Sequence, residues 1–108
     1  QTSQPLPAQA RIFIHYSAGD GLVTALARSL ADRLRLHGAR AVVVRQVPFA
    51  IRGLGVRYFH DADRAAAAQT LDIAERMLGL PDQALGDFTS FAPAPEPGTI
   101  EIWLPGGT

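Results

Sequence analysis

The chain has no cysteine, and this absence excludes several classes of site at once. Without thiols there is no disulfide framework, no thiolate zinc or iron–sulfur site and no thiol nucleophile. Lysine is also absent, so arginine supplies every side-chain cation other than histidine. The 10 basic residues balance 10 acidic ones, which argues against a protein whose main task is to bind phosphate backbones. No apolar run reaches the ~20 residues that a membrane span requires.

The composition that remains is typical of a folded globular protein. The chain has 108 residues, of which 47% are hydrophobic and 19% charged, and this length suits a single domain. Residues 1–10 are polar, contain proline and show no apolar periodicity, so we interpret them as a linker or a trimmed terminus. Residues 11–105 are expected to form one domain.

Apolar periodicity predicts four strands and two helices in the order βαββαβ. The strands are expected over residues 11–16, 40–47, 54–59 and 99–104, and the helices over 21–37 and 62–78. Asp20 and Asp61 precede the helices as candidate caps, and Leu22, Leu26, Leu30 and Leu34 form the predicted buried stripe of the first helix. This order predicts an α+β, ferredoxin-like fold. We expect a four-stranded antiparallel sheet with strands one and three in the middle and both helices on one face.

The sheet face opposite the helices is the candidate binding surface. Ile100, Ile102 and Leu104 alternate with Glu101 and Trp103, so the apolar set should face the helices and Trp103 should point away from them. Arg57 is costly to bury without a partner, which places it on the open face too. The expected ligand-binding residues are Phe13, His15, Arg57, Phe59 and Trp103.

Aromatic rings beside arginine and histidine form a stacking platform for sugar rings or bases. The connection over residues 80–98 offers an alternative, because it is long and contains Phe88 and Phe91. This connection, a partner domain or a second copy of the chain would each cover the face, since an uncovered apolar sheet is rare in a monomer.

Three short motifs are better explained as turns than as reactive sites. The turn over residues 17–21 lacks the third glycine of a dinucleotide-binding fingerprint, and His15 stands where a nucleophile elbow needs glycine. His60, Asp61 and Asp63 contain metal-ligating groups, but carboxylates are far commoner as caps at a helix start. We therefore predict no catalytic residue, no metal site and no cofactor, and we expect that the protein is not an enzyme.

The order of elements resembles the C-terminal domain of LytR–CpsA–Psr cell-envelope proteins. The resemblance comprises a strand, a turn of small residues, Gly21-Leu22 opening a helix that ends at Gly38, a valine-rich strand, the segment Val56-Arg57-Tyr58-Phe59, an alanine-rich helix and a final strand. The usual Asn-Gly-Thr-Gly type of turn is replaced by Ser-Ala-Gly-Asp-Gly. SPOR domains are similar βαββαβ modules that bind peptidoglycan with their sheet. The resemblance implies a non-catalytic module located outside the cytoplasm, in the periplasm or cell envelope.

A second segment resembles the RNA-recognition motif. Residues 52–59, Arg-Gly-Leu-Gly-Val-Arg-Tyr-Phe, are similar to its R-G-F-G-F-V-x-F element. Leu54 and Val56 replace the two stacking aromatic residues, and that register would direct Arg57 into the core.

Three functional hypotheses follow. The first is a binding module of a bacterial cell-envelope protein, with a cell-wall glycan or a protein as its partner. The second is a binder of single-stranded nucleic acid, which the neutral charge disfavours. The third is a structural or oligomerisation domain, for which a homodimer would cover the sheet face.

Overall fold

The computed structural model describes residues 5–106. Within this range the chain forms five strands and two α-helices, with a short 3₁₀ turn at Asp61–Asp63 immediately before the second helix. The strands are β1 (Arg11–Ser17), β2 (Ala41–Val47), β3 (Gly55–Tyr58), β4 (Leu85–Asp87) and β5 (Thr99–Trp103), and the helices are α1 (Gly21–Leu36) and α2 (Arg64–Leu78).

The first helix begins where the sequence predicts. The Asp20 carboxylate accepts hydrogen bonds from the backbone N–H groups of Leu22 and Val23, which are otherwise without partners in the first turn. The buried face differs from the predicted leucine stripe, because Leu22 is 74% exposed whereas Val23 is buried. A spacing of four residues overshoots the helical turn, so Leu22 lies about 120° around the helix from Leu34. The buried residues are Val23, Ala27, Leu30, Ala31 and Leu34.

The two ends of α2 are capped differently. Asp61 was predicted to cap it, but Asp61 belongs to the 3₁₀ turn, and neither that turn nor α2 has a side-chain cap hydrogen bond. At the other end Gly79 adopts a left-handed conformation and donates its N–H to the Glu75 carbonyl oxygen, as expected of a glycine C-cap.

The predicted four-stranded antiparallel, ferredoxin-like sheet is wrong. The sheet has five strands in the order β2-β1-β5-β3-β4 and is mixed. Strand β1 is parallel to both β2 and β5, β3 is parallel to β4, and only the β3–β5 pair is antiparallel. The fold is still α+β, and β1 and β3 remain interior strands, but β5 lies between them instead of at an edge.

The positions of β5 and β4 account for the difference between the predicted and the observed sheet. The last strand, β5, lies between β1 and β3, and its alternation of buried and outward residues is equally compatible with an edge or a central position. The α1 crossover places β2 directly beside β1. A short strand that the sequence did not predict, β4, forms inside the 80–98 connection and extends the opposite edge.

Both helices pack on one face of the sheet. The residues of β1, β3 and β5 that point to the helices form one buried cluster with them: Ile12, Ile14, Tyr16, Val56, Tyr58, Ile100, Ile102 and Leu104. This is the predicted parity of all three strands. Neither helix within residues 5–106 is long and apolar enough to cross a membrane.

The segment before β1 also contacts the core. Leu6 and Ala10 are buried, and the Leu6 N–H donates to the His37 carbonyl oxygen at 2.7 Å, next to the end of α1. Residues 1–4 of the predicted linker lie outside the described range. Among residues 5–10, Leu6 and Ala10 therefore pack with the domain.

Candidate binding face

The face opposite the helices brings together most of the predicted site residues. Phe13 and His15 lie on β1, and Arg57 lies on β3. In the sheet register His15 is paired with Trp103, and Arg57 is paired with Glu101. Because β5 is central, Trp103 and Glu101 have neighbours on both sides.

Four side chains form a stack across this face. The rings of His15 and Trp103 are 4.0 Å apart and nearly parallel. The Arg57 guanidinium carbon lies 4.8 Å from the Trp103 ring centre and 4.6 Å from the Phe88 ring centre. Since β5 lies between β1 and β3, His15 and Arg57 cover opposite faces of the indole. Trp103 is therefore not an open platform for stacking, and it offers a ligand its edge rather than its face.

Two charged side chains, Arg57 and Glu101, lie beside Trp103. The Trp103 indole N–H donates to a Glu101 carboxylate oxygen at 3.2 Å. The same carboxylate oxygen lies 3.8 Å from Arg57 Nη1, which is an ion pair but too long for a hydrogen bond. The two side chains are 38% and 25% exposed. Within the described residues Arg57 donates no hydrogen bond, so its N–H groups are available to a ligand.

His15 is enclosed between its neighbours and is 8% exposed. Its Nδ1 lies 3.3 Å from the Ile102 carbonyl oxygen, which requires the ring nitrogen to act as the donor. Burial is the main cause that lowers the pKa of His15, with opposing contributions from Glu101 and from the hydrogen bond to Ile102. The imidazole is therefore neutral at neutral pH and acts as a packing element of the stack.

Phe59 lies beyond the end of β3 and is covered. It is 4% exposed, and its ring centre lies 5.9 Å from those of both Phe88 and Phe91. The 80–98 connection thus covers the β3 side of the face, which was one of the alternatives raised by the sequence. Phe91 itself is 52% exposed and presents an aromatic surface in place of Phe59.

Residues 93–98 form a segment across the sheet that we call the proline strap. The Pro95 carbonyl oxygen lies 2.7 Å from His60 Nε2, and the Gly98 N–H donates to the Asp63 carboxylate at 2.7 Å. The motif considered as a metal site in the sequence thus contains two groups that hold the strap. No group of three potential metal ligands occurs within residues 5–106.

A groove of about 390 Å³ lies between the strap and the sheet. It is lined by Arg57, Phe59, Phe88, Phe91, Pro93, Ala94, Pro95, Glu101 and Trp103. A smaller groove of about 190 Å³ lies beside it and is lined by Arg11, Phe13, His15, Arg45, Pro95, Thr99 and Glu101. Pro95 and Glu101 line both grooves, so the strap divides the face into an aromatic part and a more polar part.

None of the strap prolines is among the ligand-binding residues expected from the sequence, and neither are Phe88 and Phe91, which the sequence also offers as a cover of the face. The available signal was the concentration of aromatic and proline residues in one long connection. Phe49, which follows β2, was also missed. It is 53% exposed, and its ring centre lies 6.2 Å from that of Trp103, at the end of the face away from the strap.

Comparison with known proteins supplies a fold relationship. No protein-family model matches the chain, and no curated protein sequence matches it. Among solved structures, the solution structure of the C-terminal domain of RV0431 superimposes with a TM-score of 0.55 and 21% sequence identity. The match covers 98% of this chain and 80% of that one. The two chains therefore share a fold.

Proposed function

We propose that this chain is a non-catalytic interaction module of a bacterial cell-envelope protein and that it binds a cell-wall glycan in the groove beside the proline strap. The observation that carries this proposal is the groove itself, in which exposed aromatic and proline surface lies beside the polar pair Arg57 and Glu101. Sugar rings have apolar C–H faces and polar hydroxyl edges, so both parts of such a lining have a counterpart on a glycan.

Two further points support the proposal. The sequence resembles the C-terminal domain of LytR–CpsA–Psr proteins, and the C-terminal domain of RV0431 shares the fold of this chain. The lining of the groove contains one carboxylate, Glu101, whereas hydrolysis of a glycosidic bond canonically takes a pair of carboxylates, and this favours binding over catalysis.

The nucleic-acid alternative receives less support. The resemblance to the RNA-recognition motif implies a four-stranded antiparallel sheet, whereas β1 here is parallel to both of its neighbours. Both faces of Trp103 are occupied, so this ring is closed to a stacked base. Arg57, which lines the larger groove, is moreover paired with a carboxylate.

Co-sedimentation with purified bacterial cell walls tests the proposal. We expect the chain to pellet with the walls, and we expect Phe91→Ala to reduce the pelleted fraction because it removes exposed ring surface at the groove. Leu36→Ala is the matched control, since Leu36 is 83% exposed at the end of α1, on the helical side of the sheet.

Binding should change little between about 50 and 300 mM salt, because it does not depend on the release of counterions. A steep loss of binding with salt, together with retention of single-stranded RNA on a filter, would favour the nucleic-acid alternative. No pelleting of the wild-type chain would overturn the proposal, and equal pelleting of the two variants would exclude the groove as the site.

A further inference from the structure

Arg57 and Glu101 provide a hydrogen-bond donor and a hydrogen-bond acceptor side by side in the wall of the groove. They are directly paired across β3 and β5, which are antiparallel, and Nη1 lies 3.8 Å from Oε1. This separation leaves room for a ligand to bridge the two groups. Arg57 has only donors and an ionised Glu101 has only acceptors, so the bridging ligand must offer both an acceptor and a donor.

The charge of the pair favours a neutral ligand. An anion drawn to Arg57 would be repelled by Glu101, and a cation drawn to Glu101 would be repelled by Arg57. A phosphate or carboxylate site would instead be expected to hold arginine without an adjacent carboxylate. The pair therefore suits an uncharged group with hydroxyls.

Both polar groups are held in place before any ligand arrives. The guanidinium is packed between the rings of Phe88 and Trp103, and the carboxylate accepts the indole N–H. A side chain that is already ordered loses little conformational entropy on binding, so the pair is preorganised. Glu101 retains lone pairs for a ligand, because a carboxylate accepts about four hydrogen bonds.

We infer that Arg57 and Glu101 bind two adjacent free hydroxyls of a neutral sugar ring. One hydroxyl oxygen accepts from the guanidinium while the neighbouring O–H donates to the carboxylate, and the exposed Phe91 ring and the strap prolines contact the apolar face of the sugar. This inference rests on the proposed glycan-binding function and specifies its ligand. It predicts a distinction among cell-wall glycans.

An N-acetylated sugar is expected to fit less well. Its acetamido group replaces one of the adjacent hydroxyls, and a trans secondary amide directs its N–H and C=O to opposite sides. An amide nitrogen does not accept a hydrogen bond, so it cannot replace the hydroxyl that accepts from Arg57. If its N–H instead donates to Glu101, it brings the bulky acetyl group against the groove wall beside the carboxylate. The site should therefore prefer polysaccharides with unsubstituted adjacent hydroxyls over a glycan built from 2-acetamido sugars.

Two oligosaccharides that differ at one ring position test this preference. Cellohexaose and chitohexaose have the same β-1,4 linkage, but chitohexaose carries an acetamido group where cellohexaose has a hydroxyl. Titration of the ¹⁵N-labelled chain with each, followed by amide chemical shifts, gives affinities and locates the contact. We expect cellohexaose to shift the resonances of the groove and to bind about tenfold or more tightly than chitohexaose.

Variants then test the pair itself. Glu101→Gln keeps an oxygen that can accept the indole N–H but loses the charged acceptor, and we expect it to weaken cellohexaose binding about tenfold. Asp72→Asn is the matched control, because Asp72 forms an exposed ion pair with Arg76 on α2, on the helical side of the sheet. It should leave the affinity unchanged. Arg57→Lys keeps the positive charge but loses the planar guanidinium. It provides a second test of the pair in case the Glu101→Gln variant does not fold.

The outcomes separate this inference from the proposed function. Equal binding of the two oligosaccharides, or equal affinity of the Glu101→Gln and Asp72→Asn variants for cellohexaose, would overturn the inference while leaving glycan binding in place. Binding to purified walls without binding to cellohexaose would also overturn it alone. Failure to bind walls and both oligosaccharides would overturn the inference and the proposed function together.

Discussion

Replacing Gly98 with alanine tests how firmly the proline strap is fixed to the domain. Gly98 has φ +93°, and a Cβ atom there would lie 2.6 Å from the backbone carbonyl oxygen of Gln9. Its own backbone is engaged on both sides, because its N–H donates to Asp63 and its carbonyl oxygen accepts from the Arg11 N–H at 2.7 Å. The added methyl group therefore cannot be accommodated without moving one of these partners.

The expected loss of stability can be worked out from these contacts. A left-handed backbone costs an L-residue about 1–2 kcal/mol relative to glycine. Relief of the 2.6 Å contact must break or lengthen at least one of the two hydrogen bonds of Gly98, which adds about 1–3 kcal/mol because one of them is to a carboxylate. Gly98→Ala should therefore lower the free energy of unfolding by about 2–5 kcal/mol, a large part of the total stability of a small domain.

Gly79→Ala is the matched control. Gly79 also has a positive φ, +68°, but a methyl group added there would meet no atom within 4 Å, so only the backbone contribution applies. We expect a loss of about 1–2 kcal/mol. Urea unfolding monitored by far-UV circular dichroism compares the free energies of unfolding of the two variants, provided that their m-values are equal. If Gly98→Ala is no more destabilising than Gly79→Ala, the strap is not held against residue 9 and the groove loses one of its walls.

Three further predictions concern contacts around the face. Asp63→Ala should lower the free energy of unfolding by about 1.5–3 kcal/mol because it removes a charge-assisted hydrogen bond, whereas Asp61→Ala should change it by less than about 0.5 kcal/mol; equal urea midpoints would contradict this. Phe59→Ala should cost about 3–5 kcal/mol in the same assay, and a loss below about 1 kcal/mol would mean that the ring is not buried. Burial lowers the pKa of His15, so below pH 6.5 the unfolded state takes up a proton before the folded state does. The free energy of unfolding should thus fall from pH 7 to pH 5, and His15→Phe should reduce this pH dependence. Identical pH dependence in the wild type and the variant would show that the pKa of His15 is not lowered by folding.

Sequence periodicity determined which side chains face the helices, and that part of the prediction is confirmed. Ile100, Ile102 and Leu104 are fully buried and alternate with Glu101 and Trp103, as the period of two requires. The same periodicity contains no information about which strands are neighbours. Pairing depends on the crossover geometry and on contacts between distant segments, so β5 was assigned to an edge although it is hydrogen-bonded on both sides.

The site was less predictable than the strands that carry it. Phe59 and Trp103 occur at similar positions in apolar strands, yet Phe59 is covered by Phe88 and Phe91 and is buried, while Trp103 stays partly exposed. The contacts that bury Phe59 come from the irregular 80–98 connection, which has no hydrophobic periodicity from which they could be predicted. His60 and Pro95 are 35 residues apart in sequence, and a hydrogen bond from a histidine to a distant backbone carbonyl leaves no local sequence pattern.

The central position of β5 also changes what the face can recognise. On an edge strand beside β1, Trp103 would pack against His15 and leave its second face open, which is the stacking platform that the sequence suggested. Between β1 and β3, the second face is covered by Arg57, and the same arrangement brings Glu101 opposite that arginine. Strand order thus replaces an aromatic surface, which would accept any flat ring, with a donor and an acceptor at a set distance. On the proposed glycan-binding function, we expect such a face to discriminate between sugars by their hydroxyl pattern, because each hydrogen bond that the ligand fails to make leaves a desolvated polar group behind.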